Sequence, residues 1–305
     1  MGKAHWLALS MVPGIGGATL RRLIEKLGDI EAVFEAPSGD LIQIPRVTPA
    51  IAERIKAISL PQIEDELVSL YEEGLAVLTL EDDDYPANLH PLSDAPSVLF
   101  VRGEILPEDK QAVAIVGTRE PTEASLTMAE TLGRELARHG LTIVSGLALG
   151  IDTAAHRGAL AAKEGRTLAV LGSGLRVIHP QRNVALSEEI AACGALLSEL
   201  HPNTPPRARQ LMARDRIISG LARAVIVVEA GKKSGSLDTA TRGRKQGRLI
   251  FVVGGSPGTE QLLFTGATSL PADTTAIDFE ELSQRIKTHP VPGQPDAIMR
   301  QASLW

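Results

Sequence analysis

The chain has 305 residues, 44% hydrophobic and 22% charged, which is long enough for a large folded domain and too ordinary for a disordered or collagen-like protein. The formal net charge is −6, Cys193 is the single cysteine, and no apolar run approaches the roughly twenty residues that span a bilayer. We therefore predict a cytoplasmic protein without an internal disulfide and without a membrane segment.

Residues 1–60 contain two short helical patterns, each opened by a turn. Gly14 and Gly16 stand in the first turn, whereas the second turn, at 44–49, has no glycine. The pair predicts a small all-α domain of the helix-hairpin-helix or SAM-like type. A Gly-x-Gly turn can present N–H groups to a phosphate. However, residues 1–110 carry a net charge of −10, which favours a packing or partner role for this domain.

The rest of the chain predicts an α/β fold. Residues 61–108 are interpreted as a connector whose extended chain joins the next sheet. Over 109–288, short apolar strands alternate with helices, and several strands end in glycine-containing loops. This alternation predicts a Rossmann-like, doubly wound, mostly parallel sheet. Residues 289–305 are predicted to be a flexible tail without a winged-helix domain.

Ligands of such sheets bind beyond the carboxyl ends of the strands, so the loops at that edge are expected to line one crevice. Their glycines let a phosphate approach the backbone, while hydroxyl and N–H groups donate to it and cations neutralise it. The predicted phosphate-binding residues in these loops are Gly117, Thr118, Arg119, Ser145, Gly146, Gly172, Ser173, Gly174, Lys232, Lys233, Ser234, Gly235 and Ser236.

Residues 201–250 carry 11 basic and 3 acidic side chains, although the whole chain is negative. Clustered cations indicate a polyanion partner, because each attracts a phosphate and releases its counterions. The guanidiniums that suit several successive phosphates are Arg207, Arg209, Arg214 and Arg216. Aromatic residues make up only 3%, so a strand would be held by its backbone. The absence of a P-loop and of a G-x-G-x-x-G turn argues against ATP and NAD, and no cofactor is predicted.

Catalytic and metal sites are not expected. Asp152 and His156 share a helical face near Ser145, but Asp152 is interpreted as a helix N-cap and no G-x-S-x-G motif surrounds Ser145. Glu229 closes a predicted strand and is expected to fix a loop. His179 has no partners at metal-ligand spacing, so no metal is predicted.

Several motifs stand in a fixed order along the chain. They are Val116-Gly117-Thr118-Arg119, Ser145-Gly146-Leu147-Ala148-Leu149-Gly150, Gly172-Ser173-Gly174-Leu175, Arg214-Asp215-Arg216 and Ser234-Gly235-Ser236-Leu237-Asp238. Their order, over roughly residues 1–270, resembles the DNA-processing protein A family (DprA, also called Smf).

The resemblance implies a protein that has no established catalytic activity and binds single-stranded DNA. It implies protection of incoming DNA in natural transformation, loading of the RecA recombinase, and a homodimer with DNA in a positively charged pocket. By position, Arg119 is the arginine of this pocket and Arg182 is a second basic contact. Arg214 and Arg216 match the Arg-Asn-Arg element of the family.

The chain departs from the family pattern at Asp215, where the family has asparagine, and a carboxylate there repels phosphate unless it is paired. Two alternatives stay open. One is a nucleoside-monophosphate phosphoribohydrolase-like enzyme, whose phosphate loop resembles 234–239. The other is a diverged paralogue that acts as a protein adaptor, which requires the acidic N-terminal domain to fill the basic crevice.

Overall fold

The structure, a computed structural model, describes residues 2–292. Most of the predicted tail, from residue 293 to 305, lies outside the described residues. The helices are α1 Lys3–Ser10, α2 Gly17–Leu27, α3 Ile30–Glu35, α4 Ser38–Leu41, α5 Pro49–Lys56, α6 Leu60–Glu72, α7 Glu123–Arg138, α8 Ile151–Ala161, α9 Val184–Cys193, α10 Ala208–Ala213, α11 Asp215–Leu221, α12 Ser236–Lys245, α13 Pro257–Phe264 and α14 Phe279–Thr288. The strands are β1 Leu75–Thr79, β2 Val98–Gly103, β3 Ala112–Val116, β4 Thr142–Ser145, β5 Thr167–Val170, β6 Ala195–Ser198, β7 Ala224–Val227, β8 Leu249–Val253 and β9 Thr268–Leu270.

The N-terminal helices α1 to α5 pack around a shared apolar core, in agreement with the prediction of a small helical domain. Thr48 caps α5 through a hydrogen bond from the backbone N–H of Ile51, and Pro49 occupies the first turn, where its missing N–H costs nothing. Gly14 has φ +100°, and a Cβ there would lie 2.8 Å from Cδ1 of Ile51. Glycine at this turn therefore lets the two hairpins pack closely.

The sheet has nine strands in the order β1-β2-β6-β5-β4-β3-β7-β8-β9. Strand β2 runs antiparallel to both β1 and β6, and the strands from β6 to β9 are parallel to their neighbours. The fold is therefore the mostly parallel α/β sheet that the strand and helix alternation predicts. The segment predicted as a connector contributes β1 and β2 to the sheet.

Alternate residues of the central strands face opposite sides of the sheet. In β3, Val113 and Ile115 pack with α7, α8 and α14, whereas Ala114 and Val116 pack with α11 and α12. The chain proceeds from β3 outward to β6 and then returns to β7 on the other side of β3. This reversal creates a switch point at the carboxyl ends of β3 and β7, where sheets of this type bind ligands.

Helices α10 and α11 meet at Arg214. One local prediction is wrong. Asp152 was expected to cap α8, but the cap is Gly150, with φ +80°. A Cβ at Gly150 would lie 2.5 Å from the carbonyl oxygen of Thr118, so only glycine fits there. No helix within residues 2–292 combines the length and apolar character needed to cross a bilayer.

Candidate functional site

A crevice of about 450 Å³ opens at the switch point, outside the carboxyl ends of β3 and β7. Its lining comes from residues 116–239. Among the described residues, none of the N-terminal segment 2–60 contributes to it. The N-terminal domain therefore does not fill this crevice, although the adaptor alternative requires that it does.

The loop after β3 forms one wall of the crevice. Gly117 is needed for packing, because a Cβ there would lie 2.5 Å from Cγ1 of Ile151. The backbone N–H of Thr118 donates to the carbonyl oxygen of Glu229 at 2.7 Å and fixes the loop to the end of β7. Arg119 follows, is exposed, and its side chain makes no hydrogen bond or ion pair with residues 2–292. Its guanidinium is thus available to a ligand.

Glu229 fixes this wall rather than acting as an acid or base. Its Oε2 accepts hydrogen bonds from the backbone N–H of Thr122 at 2.9 Å and from Oγ1 of Thr122 at 3.1 Å. Burial opposes ionisation, but the hydrogen bonds from Thr122 and Ser125 outweigh it and hold the pKa of Glu229 below its ordinary value. The start of α7 is therefore tied to the end of β7, as expected for a loop anchor.

The loop after β7 forms the opposite wall. Lys232 and Lys233 are exposed there, and Lys233 lines the crevice. The hydroxyls of Ser234 and Ser236 lie 2.8 Å apart. The backbone N–H groups of Gly235 and Ser236, at the start of α12, have no backbone partner in the described chain. Free N–H groups beside a lysine make this wall suitable for an anion.

The floor of the crevice contains Arg214, which is only 6% exposed. Its Nη1 donates to the carbonyl oxygens of Gly146 and Val170, each at 2.6 Å, and its Nε donates to Oδ1 of Asp215 at 3.0 Å. The prediction that Arg214 serves chiefly to bind phosphate therefore needs correction. It ties the ends of β4 and β5 to α11, and only Nη2 has no hydrogen bond to the described residues.

Arg216 was also predicted to bind phosphate, and the structure places it elsewhere. Its two terminal nitrogens donate to the carboxylate of Glu199 at 2.7 and 2.6 Å, and its Nε donates to the carbonyl oxygen of Asp94 at 3.0 Å. The side chain lies outside the crevice lining. This bidentate pair uses the N–H groups that a phosphate would need. Arg216 therefore joins α11 to the segment that follows β6.

The loops after β4 and β5 were expected in the crevice, but the loop after β4 reaches its lining only through Ala148, and the segment 201–211 covers the loop after β5. A Cβ on Gly172 would lie 2.7 Å from Cα of Leu211, and one on Gly174 would lie 2.2 Å from the carbonyl oxygen of His201. A Cβ on Gly146 would meet Nη1 of Arg214 at 2.0 Å. Neighbouring protein atoms therefore require glycine at these three positions, and their role in phosphate approach stays a prediction.

The serines of these loops are likewise buried. Oγ of Ser145 donates to the carbonyl oxygen of Ile115 at 2.6 Å, and Oγ of Ser173 donates to that of Val177 at 2.7 Å. Neither lines the crevice. Arg182 is exposed in the 3-10 segment Gln181–Asn183, on the same edge of the sheet but outside the lining.

The group around Asp152 and His156 is structural. Oδ2 of Asp152 accepts from the backbone N–H groups of Gly146 and Ala148, and burial raises its pKa. Nδ1 of His156 lies 2.7 Å from Oγ1 of Thr167 rather than next to Asp152. Burial, with the nearby positive charge of Arg214, lowers the pKa of His156 to about 3. This arrangement holds a loop, and it does not align Ser145, His156 and Asp152 as a triad, because Ser145 donates to the carbonyl oxygen of Ile115 and His156 contacts Thr167.

Sequence reasoning missed an apolar side of the crevice, formed by Leu211, Met212 and Ile218. Met212 is 55% exposed. The exposed arginines Arg207 and Arg209 stand at the start of the segment that supplies Leu211 and Met212. The only signal in the sequence was the position of these apolar residues inside an arginine-rich stretch. The crevice therefore combines a cationic mouth with an apolar side.

The sheet topology and this crevice define a Rossmann-like protein with a candidate anion site at the switch point. Residues 76–285 match the family described as DNA recombination-mediator protein A, and residues 7–58 match the SAM-like helix-hairpin-helix tandem. The chain belongs to the DNA recombination-mediator protein A family.

Relatives in sequence and structure agree with this assignment. The chain is 37% identical over 257 residues to the DNA processing protein DprA of Bacillus subtilis, a match that covers 79% of this chain and 85% of the relative. Its 36% identity to Protein Smf of Synechocystis sp. covers 85% of this chain and 66% of that protein's length.

Two solved structures of DNA processing protein A are also similar. The X-ray structure from Streptococcus pneumoniae has a TM-score of 0.77 and 34% identity, covering 88% of this chain and 94% of that chain. The structure from Helicobacter pylori, described as showing a single-stranded DNA binding mode, has a TM-score of 0.61 and 32% identity. It covers 70% of this chain and 95% of that chain.

Proposed function

We propose that this protein binds single-stranded DNA and holds the strand by its phosphates at the mouth of the crevice. The observation that carries the proposal is the pair of opposed walls. One presents Arg119 without a protein partner, and the other presents Lys233 beside the free N–H groups of Gly235 and Ser236. The single-stranded DNA binding described for the Helicobacter pylori relative supports the same assignment.

We also propose that the protein is not an enzyme. In support, Oδ2 of Asp152 already accepts two backbone N–H groups, and Asp215 is paired with Arg214. The hydroxyl of Ser145 lies near Asp152 but is buried and donates to the carbonyl oxygen of Ile115, so it is not presented to a substrate. The experiment that tests this is incubation with AMP followed by chromatography for free adenine. Release of the base would revive the phosphoribohydrolase alternative.

The cellular role that we propose is protection of incoming DNA in natural transformation and loading of RecA onto it in the cytoplasm. The family description as a recombination mediator supports the second part. The test is assembly of RecA filaments on DNA precoated with single-strand-binding protein, with and without this chain. Acceleration by the wild-type protein is expected, and an unchanged lag would contradict the proposal.

A homodimer completes the proposal. Phe264, at the end of α13, is 93% exposed and lies close in sequence to β9, the edge strand of the sheet. A large aromatic side chain beside an unpaired strand edge suits contact with a second copy. We expect sedimentation at the mass of two chains, and of one chain after Phe264→Asp.

Binding itself is tested by fluorescence anisotropy with a labelled oligo-dT strand. We expect affinity that falls steeply with salt, because phosphate contacts release counterions. Binding that is absent at low salt, or that does not change with salt, would contradict the proposed function.

A further inference from the structure

Asp215 places an unpaired carboxylate oxygen in the crevice. The side chain is 7% exposed, and its Oδ1 accepts the hydrogen bond from Nε of Arg214. Within residues 2–292, no donor forms a hydrogen bond with Oδ2. This oxygen lies 3.9 Å from the position that a Cβ on Gly235 would take, so it faces the opposite wall. Oδ2 is therefore open to the crevice and available to a hydrogen-bond donor of a ligand.

The surroundings of Asp215 do not suit a phosphate. Besides Arg214, the charged groups that act on Asp215 are the carboxylates of Asp152 and Asp238. The cations Arg119 and Lys233 line the same crevice from its two walls. An ionised carboxylate only accepts hydrogen bonds, so the ligand group that meets Oδ2 must be a donor.

The apolar side of the crevice suits a flat ring. Leu211, Met212 and Ile218 line it together with Asp215. A nucleobase has a face that packs on apolar side chains and an edge that carries N–H donors. This inference rests on the proposed function, in which phosphates bind at the mouth of the crevice. A base of the same strand can then enter between the two walls.

We propose that Asp215 recognises the Watson–Crick edge of that base and selects guanine. Guanine has two adjacent donors on this edge, N1–H and the N2 amino group, and both can reach one carboxylate. Adenine and cytosine have a single amino group on that edge. Thymine has one N3–H between two carbonyl oxygens, which repel a carboxylate. An asparagine at this position would offer a donor as well as an acceptor and would not discriminate in this way.

The test is anisotropy with labelled dT 15-mers in which the central base is thymine, guanine, adenine or cytosine. We expect the strand with one guanine to bind about tenfold more tightly than all-dT, the discrimination of one good base contact. Substituting inosine, which lacks the N2 amino group, removes most of this gain. Substituting 7-deazaguanine, which keeps the Watson–Crick edge, retains it. These changes are made in the ligand and do not depend on the folding of any variant.

The protein variants are Asp215→Asn and, as a matched control, Asp238→Asn. Asp238 is paired with Arg242 and lies outside the crevice lining. We expect Asp215→Asn to lose the preference for guanine and to bind all-dT at least as tightly as the wild type. Asp238→Asn retains the preference.

Equal affinity of the wild type for the thymine and guanine strands overturns the inference, and so does a preference that persists in Asp215→Asn. Salt-dependent binding that requires Arg119 but shows no base preference leaves the proposed function standing and overturns only the inference. Absence of binding to every strand overturns both.

Discussion

Replacing Arg119 by alanine separates ligand binding from folding in this protein. Arg119 is exposed and its side chain has no partner in the described chain, so its removal leaves every observed hydrogen bond intact. We expect the free energy of unfolding to change by less than about 0.5 kcal/mol, as for other surface substitutions. Any loss of DNA affinity then reflects a lost contact with the ligand.

The size of the effect follows from one guanidinium and one phosphate. A hydrogen bond to a charged group contributes enough that its loss should weaken binding about tenfold or more at low salt. Each phosphate contact on a single strand contributes roughly 0.7 to the slope of log K against log salt, so this slope should become shallower by about that amount. The loss should be similar on every sequence, because a phosphate carries no base identity.

The assay is anisotropy of labelled oligo-dT over a series of salt concentrations, with Arg138→Ala as the matched control. Arg138 is exposed at the end of the helix α7, whose other end begins near Arg119, and within the described residues its side chain pairs with the half-buried Glu135. We expect the control to behave as the wild type. An unchanged slope for Arg119→Ala, or an equal loss in the control, would refute the assignment of the crevice mouth to phosphate.

Two further substitutions and one change of pH have defined outcomes. Arg216→Ala should lower the free energy of unfolding by about 2–4 kcal/mol in urea titrations, because it leaves the half-buried carboxylate of Glu199 without its partner. The affinity for DNA should stay within about twofold of the wild type. Gly146→Ala should lower the free energy of unfolding by about 1–3 kcal/mol, because the new Cβ meets the immobilised guanidinium of Arg214. In the control Gly39→Ala, the new Cβ has no atom within 4 Å, and the free energy of unfolding should hardly change. Burial raises the pKa of Asp215 to about 6. Because the guanine preference needs the ionised carboxylate, it should be present at pH 7 and fade toward pH 5. An identical preference at both pH values would contradict this.

The parallel part of the sheet and one wall of the crevice could be predicted from the sequence. Five consecutive apolar residues in β3, followed by Gly117-Thr118-Arg119, indicate a strand covered on both faces and a loop at its carboxyl end. Every strand–loop–helix unit repeats this local pattern, and the switch point follows from topology.

The burial of Arg214 and Arg216 could not be predicted in the same way. An arginine side chain is normally exposed. The groups that bind these two inside the protein are distant in sequence: the carbonyl oxygens of Gly146 and Val170 bind Arg214, and the carboxylate of Glu199 binds Arg216. The covering of Gly172 by Leu211 is also a tertiary contact. Local patterns indicate where glycine is needed but not whether a ligand or the protein itself fills the space beside it.

The cover that segment 201–211 places over the loop after β5 limits how much of a strand this crevice could engage, if a strand binds there as proposed. The crevice has about 450 Å³, near the lower end of ligand-pocket sizes. One crevice would then hold only a few nucleotides. A long strand would be coated by many copies side by side. Its coverage would depend on the protein concentration and on contacts between neighbouring copies more than on the affinity of any single crevice.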